Sequence, residues 1–382
     1  MASKIALVGF EPHANKTERK RFINLAWKIN AQDPAWVPPL RLTVEDALDT
    51  KKNPFYKHAR IRLWNAYRDG EHVGRISACV DDRHNEFHGE KIGFWGFFEC
   101  IDDLAVASAL FVAAEDWIRG QGMNASRGPA NPSFNHEAGM LLNSFGEDPY
   151  VMMTHNLPYF PALVEGLGYQ KEKDLFAFNL PCPEEFDSRV VRISEKVKAK
   201  NNITIRSINM KKFREEVQLI REIYNAAWEK NWGFVPMDQT EFDHMAKSLK
   251  DVLWPDFCLL AFVGDKPIGF SLSLPDINRV LKRIPDGRLL PFGIFKLLWG
   301  IRPAAKVVDR VRVITLGVVP EWRASGVASV FYYETFKRAE DYGLWGGEAS
   351  WILEDNREML SAIQVFGKAP PYKTYRVYQK GL

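Results

Sequence analysis

The stretch that decides the fold is Leu316-Gly317-Val318-Val319-Pro320-Glu321-Trp322-Arg323-Ala324-Ser325-Gly326-Val327-Ala328. A strand ends at Val319, a short turn follows, and a helix begins near Ser325 and runs to Tyr342, where Gly343 stops it. The turn has the pattern Arg-x-x-Gly-x-Ala. The N-terminus of a helix presents free backbone N–H groups and the positive end of the helix dipole, which suits a diphosphate. Gly326 and Ala328 are small enough for a phosphate to approach the backbone, and Arg323 adds a permanent cation. Val330, Phe331, Thr335 and Phe336 are placed to seat the helix on a sheet.

The elements around this turn form an order that can be read from periodicity. Ile203–Ile208 alternates as a strand. Phe213–Asn231 carries Val217, Ile220, Ile223 and Tyr224 at helical spacing, and Thr240–Val252 is a second helix with Thr240 as its expected N-cap. Phe257–Val263 and Ile268–Leu274 form a hairpin across Gly-Asp-Lys-Pro. Val311–Val319, Ser325–Tyr342, Gly347–Leu353, Asn356–Phe366 and Tyr372–Gln379 complete the order β-α-α-β-β-β-α-β-α-β. The first half repeats it loosely. It has a strand at Ile5–Phe10, a helix at Lys16–Gln32, a hairpin at Ile61–Arg68 and His72–Asp81, a strand at Ile92–Cys100 and a helix at Leu104–Ile118. A further helix at Tyr159–Leu167 and a strand at Asp174–Leu180 close it.

The turn and its setting resemble motif A of the GNAT acyltransferases, (Arg/Gln)-x-x-Gly-x-(Gly/Ala) after a strand ending near Val-x-Pro. The resemblance covers Ile203 to the end. It implies an α/β fold of two GNAT-like units, each a mixed, mostly antiparallel sheet flanked by helices. Residues 1–180 would be a degenerate unit, 181–202 a linker with an exposed helix over Ser188–Lys200, and 203–382 the unit that binds acyl-coenzyme A. By the same resemblance Arg323, Ala324, Ser325, Gly326, Val327 and Ala328 would hold the coenzyme's pyrophosphate. Val318 would pair with its pantetheine arm where two strands splay apart. Asn356 either touches the cofactor, as in the family, or simply caps its helix.

The chain also departs from the family. The tyrosine that often protonates the departing thiolate is replaced by Ile363, and the Phe expected after Gly367 is Lys368. Tyr372, Tyr375 and Tyr333 are candidate replacements. Glu348, on the strand beside the cleft, is the candidate general base, its alternative being an exposed strand residue. No cysteine has a neighbouring base in sequence, so direct attack of an amine on the thioester is expected, with backbone N–H groups polarising the carbonyl. The implied reaction transfers an acyl group, acetyl first, from acetyl-coenzyme A or another acyl-coenzyme A to a small-molecule or peptide amine. Two alternatives stand beside it: a Fem-like transferase using aminoacyl-tRNA, and a non-catalytic coenzyme A-binding protein.

In the first half the matching junction reads Gly96-Phe97-Phe98-Glu99-Cys100-Ile101-Asp102-Asp103-Leu104. It has no basic residue. Glu99, Asp102 and Asp103 are expected to cluster at the anion position and repel a pyrophosphate. A loop rich in Pro and Gly, Gly128–Gly139, offers Asn131, Ser133, Asn135, His136 and Glu137. It either orients a substrate or holds its own turn together. His84 and His88 are expected in a hairpin loop, where they need not converge on a metal, and no metal is expected.

Residues 279–312 carry nine Lys or Arg against Asp286 and Asp309, a local charge of +7 in a 382-residue chain whose total is +3. The centre of this insertion, Leu289–Ile301, is strongly apolar. It could cover the acyl cleft or the domain interface with its basic residues facing coenzyme phosphates, pack as a helical hairpin with a solvated face, or dock on an anionic membrane surface or accept a lipidic substrate. The total charge is too small to argue for DNA. No apolar run reaches the roughly 20 residues a bilayer needs. Four cysteines without a CxxC pair read as reduced thiols of a cytoplasmic protein. The oligomeric state is not legible.

Overall fold

The computed structural model describes residues 4–185, 188–228, 231–367 and 370–382; Lys368 lies outside them. Two units are built on one local plan, four antiparallel strands followed by a fifth parallel to the fourth. The first unit gathers Met1–Leu175, Ile284–Ile294 and Lys373–Leu382; the second gathers Phe176–Arg283 and Phe295–Tyr372. The fold is mixed α/β, with mostly antiparallel sheet flanked by helices.

In the first unit, Ile5–Phe10, Ala59–Arg68, Glu71–Asp81 and Ile92–Cys100 pair in sequence order. The hairpin turns at Asp69-Gly70, both at positive φ (51° and 82°), as a two-residue turn requires. Ala125–Gly128 then lies parallel to Ile92–Cys100, a pairing that needs a crossover, and helix Leu104–Gly120 supplies it. That helix buries Leu110, Phe111, Ala114 and Ile118 against Val73, Ile76 and Trp95. The closing strand Lys373–Gly381 pairs antiparallel with Ala125–Gly128 and so belongs to this unit, although in sequence it reads as the end of the other.

The second unit repeats the plan with Ile203–Ser207, Cys258–Val263, Lys266–Pro275 and Arg310–Val318, then Gly346–Leu353 parallel to the last of these. Helix Val327–Asp341 is the crossover. Gly343 ends it in the left-handed region, at φ 66°. Helix Ser188–Asn201 packs along it, with Lys198 Nζ 3.1 Å from Glu334 Oε1.

Two local expectations are corrected, and one helix was not foreseen. Helix Gln239–Lys250 is capped by Asp238, in a capping box with Glu241, rather than by Thr240. A helix over Arg41–Ala47 has too few turns to show a period in sequence. His84 and His88 stand on a helix, Asp82–His88, rather than in a loop. His84 Nε2 lies 3.1 Å from Glu90 Oε2, and burial, with His88 adding, pushes the His84 pKa down to about 4. Among the described residues no group of three or more His, Cys, Asp or Glu side chains could hold a metal, and no helix is long and apolar enough to cross a membrane.

Candidate active site

The parallel register between Arg310–Val318 and Gly346–Leu353 runs Arg310 with Gly346, Val311 with Gly347, Arg312 with Glu348 and Val313 with Ala349, and stops there. Beyond that point the two strands part, while Val318 stays paired to Gly269 on its other side. One edge of Ile314–Val318 therefore keeps backbone groups for another partner.

Strand Arg310–Val318 runs into the 3-10 turn Pro320–Ser325 and then Gly326, at φ 88°. Gly326 is the N-cap of Val327–Asp341, and no side chain caps the helix. Val327 and Phe331 are fully buried and pack with Val318, and Val330 is fully buried as well, so the first-turn amides have a fixed direction. Ser325 Oγ donates to Trp322 O at 2.6 Å and stiffens the turn. Arg323 Nη2 donates to Ala227 O at 2.8 Å, so this guanidinium is tethered to the end of helix Phe213–Trp228 while its exposed side chain keeps its charge beside the turn. A dipole end without an internal acceptor, a glycine that leaves room and a flanking cation fit a diphosphate.

The first unit shows the opposite. Asp103 caps helix Leu104–Gly120, its Oδ1 accepting from the amides of Ala105 at 2.9 Å and Val106 at 3.0 Å. Arg68 Nη1 donates to the other oxygen at 2.7 Å, and this bond is the main cause that lowers the Asp103 pKa. The parting strands are filled as well. Asn131 Oδ1 accepts from Phe97 N at 2.6 Å, and a Cβ on Gly96 would stand 1.9 Å from Ala130 O. The expected acidic cluster is corrected in one respect: Glu99 turns to the other face of its strand, near Asn30 and Arg75. Burial raises its pKa to about 7.

The candidate substrate loop holds itself. Asn131 bonds Phe97 and pairs in register with Glu137, and Ser133 Oγ takes His136 Nδ1 at 2.8 Å and Asn135 N at 3.2 Å. This is turn chemistry, the second of the two readings given for Asn131, Ser133, Asn135 and Glu137.

Glu348 and Tyr372, read separately from the sequence, meet. Glu348 is fully buried rather than an exposed strand residue. Its Oε2 accepts from the Tyr372 hydroxyl and its Oε1 from Ser350 Oγ at 2.6 Å, with Arg312 Nε 4.0 Å away. Arg312 also donates to Ser350 Oγ at 2.8 Å and to Ser350 O at 3.1 Å. Tyr372 N bonds Ala177 O at 3.0 Å, which fixes the ring's approach, and the side chain is only partly buried. The cluster sits one step before the strands part, so a half-exposed phenol backed by a buried carboxylate stands at the root of the splay.

Asn356 Oδ1 accepts from Met359 N at 3.1 Å, which assigns it the helix cap. Ile363 is fully buried against Phe178, Leu180, Ala349 and Ile352, so a side chain at that position enters the core. Sequence reasoning missed Arg312, counted only among the insertion's cations. It also missed Trp228, whose ring a Cβ on Gly317 would meet at 2.2 Å. A glycine inside a strand marks such close approaches, and Gly317 was the available signal.

No family model matches the chain. It is 37% identical to Protein YghO of Escherichia coli over 374 residues, covering 96% of this chain and 93% of that one. It is also 37% identical to the bacterial ceramide synthase of Caulobacter vibrioides over 380 residues, covering 97% of each. Among solved structures, a tandem GNAT protein from the clavulanic acid biosynthesis pathway superposes with a TM-score of 0.57 at 10% identity, covering 99% of this chain and 98% of that one. With 37% identity over nearly the whole of both relatives, the chain belongs to the family of Protein YghO and the bacterial ceramide synthase, and it has a tandem GNAT fold in which one crossover helix is open and the other is capped by a side chain.

Proposed function

We propose that the second unit binds an acyl-coenzyme A and transfers the acyl group to an amine by direct attack on the thioester. The observation that carries this is the uncapped helix end at Gly326 beside strands that part after Val313 and Ala349. The diphosphate lies on the amides of Gly326, Val327 and Ala328, with Ala324 and Ser325 lining the turn and Arg323 beside it. The pantetheine arm follows the open edge at Val318. Tyr372 accepts the proton of the attacking amine while passing its own to Glu348. The proton returns by the same route, or from water, to the departing thiolate. Arg312 and Ser350 hold Glu348 for this exchange.

A ceramide is an N-acylated long-chain amine, and the name of the Caulobacter relative supports a long-chain amine acceptor and an acyl group longer than acetyl. Thiol release should be measured with acetyl- and palmitoyl-coenzyme A against short amines, a peptide and a long-chain amino alcohol. Release is expected with the long-chain pair. Release confined to acetyl-coenzyme A would restore the acetyl reading. No release from any pair, with coenzyme still binding, would favour a non-catalytic binding protein.

A further inference from the structure

The insertion sends Ile284–Ile294 into the first unit, where it is firmly held. Trp27 Nε1 donates to Pro285 O at 2.8 Å, Arg41 N to Gly287 O at 2.9 Å and Arg41 Nε to Asp286 O at 2.8 Å. Gly287, at φ 65°, lies so close that a Cβ there would stand 2.4 Å from Pro39 O. Yet this fixed segment leaves its largest apolar side chains in solvent, Leu290 at 76% and Phe292 at 70% exposure. Helix Gly293–Gly300 follows and continues the pattern. Gly293, Leu297 and Gly300 face inward, while Phe295, Leu298 and Trp299, at spacings of three and one, stay 68%, 49% and 56% exposed. A helix apolar on both faces, ordered and half in water, marks an interaction surface.

Two residues before Leu290, Arg288 lines a cleft of about 230 Å³ together with Lys16, Arg19, Lys20, Arg41 and Glu45. Among the described residues that line it, Glu45 is the only carboxylate; Asp286 stands near Arg41 as well. Burial first, then the nearby Arg288, lowers the Arg41 pKa, while Asp286 and Glu45 oppose the shift. A concave basic site of this size beside aromatic and aliphatic knobs matches the two layers of a membrane surface, anionic headgroups over acyl chains. A second copy docked on the same patch about a two-fold axis would set basic cleft against basic cleft.

We propose that this face of the first unit docks on an anionic membrane surface, with Leu290 and Phe292 entering the headgroup–acyl boundary and the cleft at Lys20 and Arg288 taking a lipid phosphate. Docking requires no turnover, so it stands or falls apart from the transferase reading.

The test is flotation of the full chain with vesicles of phosphatidylcholine and phosphatidylglycerol in equal parts, and with phosphatidylcholine alone. Association is expected with the mixed vesicles and little with the neutral ones. Lys20→Ala combined with Arg288→Ala should weaken association about 30-fold, at about 1 kcal/mol per cation. Leu290→Ser combined with Phe292→Ser should abolish it. All four positions are exposed, and unchanged circular dichroism confirms each variant's fold. Equal association with neutral vesicles, or wild-type association by both double variants, would overturn the proposal. So would a dimer in sedimentation that Phe292→Ser dissociates.

Discussion

Replacing Tyr372 by Phe removes one hydroxyl and nothing else from the cluster at the root of the splay. Glu348 Oε2 loses its donor, while Oε1 keeps Ser350 Oγ at 2.6 Å and Arg312 Nε at 4.0 Å. A buried acceptor left without its bond costs about 1–3 kcal/mol, several degrees of melting temperature in a unit of this size. That is the whole effect if the pair is structural. If Tyr372 relays the amine proton, thiol release should also fall about 10²–10⁴-fold, with coenzyme affinity unchanged because the diphosphate turn is untouched. Glu348→Gln should lower the rate to a similar degree. It should cost more stability, about 3–5 kcal/mol, since Arg312, 2% exposed, loses a buried carboxylate. Because the two act as one unit, the double variant should be hardly slower than either single one. The assay is kcat and KM from thiol appearance with acyl-coenzyme A and a long-chain amine, alongside thermal unfolding and coenzyme calorimetry. A Tyr372→Phe enzyme with normal kcat and a lowered melting point would refute the relay.

Two further outcomes follow from the first unit. Glu99 keeps its proton up to about pH 7 in the folded state, against an ordinary value of 4.5, because it is buried. The unfolded chain releases that proton earlier, so stability should fall as pH rises from about 4.5 to 7, by up to about 3 kcal/mol. Glu99→Gln should flatten this slope in urea midpoints taken across the window, and an unchanged slope would contradict the assignment. Asp103→Ala should cost about 1–2 kcal/mol through the lost cap, yet leave coenzyme stoichiometry at one per chain, since Ala130 and Asn131 still fill the splay. A second binding event in calorimetry would show that the cap alone excludes the anion.

The elements and the order of both units were legible because strand alternation, helix periodicity and the Arg323–Ala328 turn are local. What escaped depends on partners far apart in the chain. Glu348 reads as an exposed strand residue until Arg312, 36 positions earlier in the sequence, and Tyr372, 24 later, close over it. The closing strand follows the second unit in sequence, but its register is set by Ala125–Gly128 some 250 residues away. Asn131 carries the same side chain whether it binds a ligand or an amide of its own protein, and only the bond to Phe97 N distinguishes the two. The cations of the insertion looked uniform in sequence. Three of them are matched to carboxylates, Arg279 to Asp309, Arg310 to Asp276 and Arg312 to Glu348, whereas Arg288 lines the basic cleft.

The central claim is that the open helix end at Gly326 grips the coenzyme's diphosphate. Calorimetric titration of coenzyme A into the wild type, Gly326→Ala and Gly326→Glu tests it directly. Alanine must adopt φ 88° with its Cβ 3.1 Å from Val197 Cγ2, at a cost of about 1–2 kcal/mol, and should bind somewhat more weakly. Glutamate adds a charge that opposes each diphosphate charge by about 3 kcal/mol at about 5 Å and an effective dielectric of about 20. One site in the wild type and a loss of more than about a hundredfold in Gly326→Glu is the expected result; equal affinity in a folded Gly326→Glu variant would contradict the assignment.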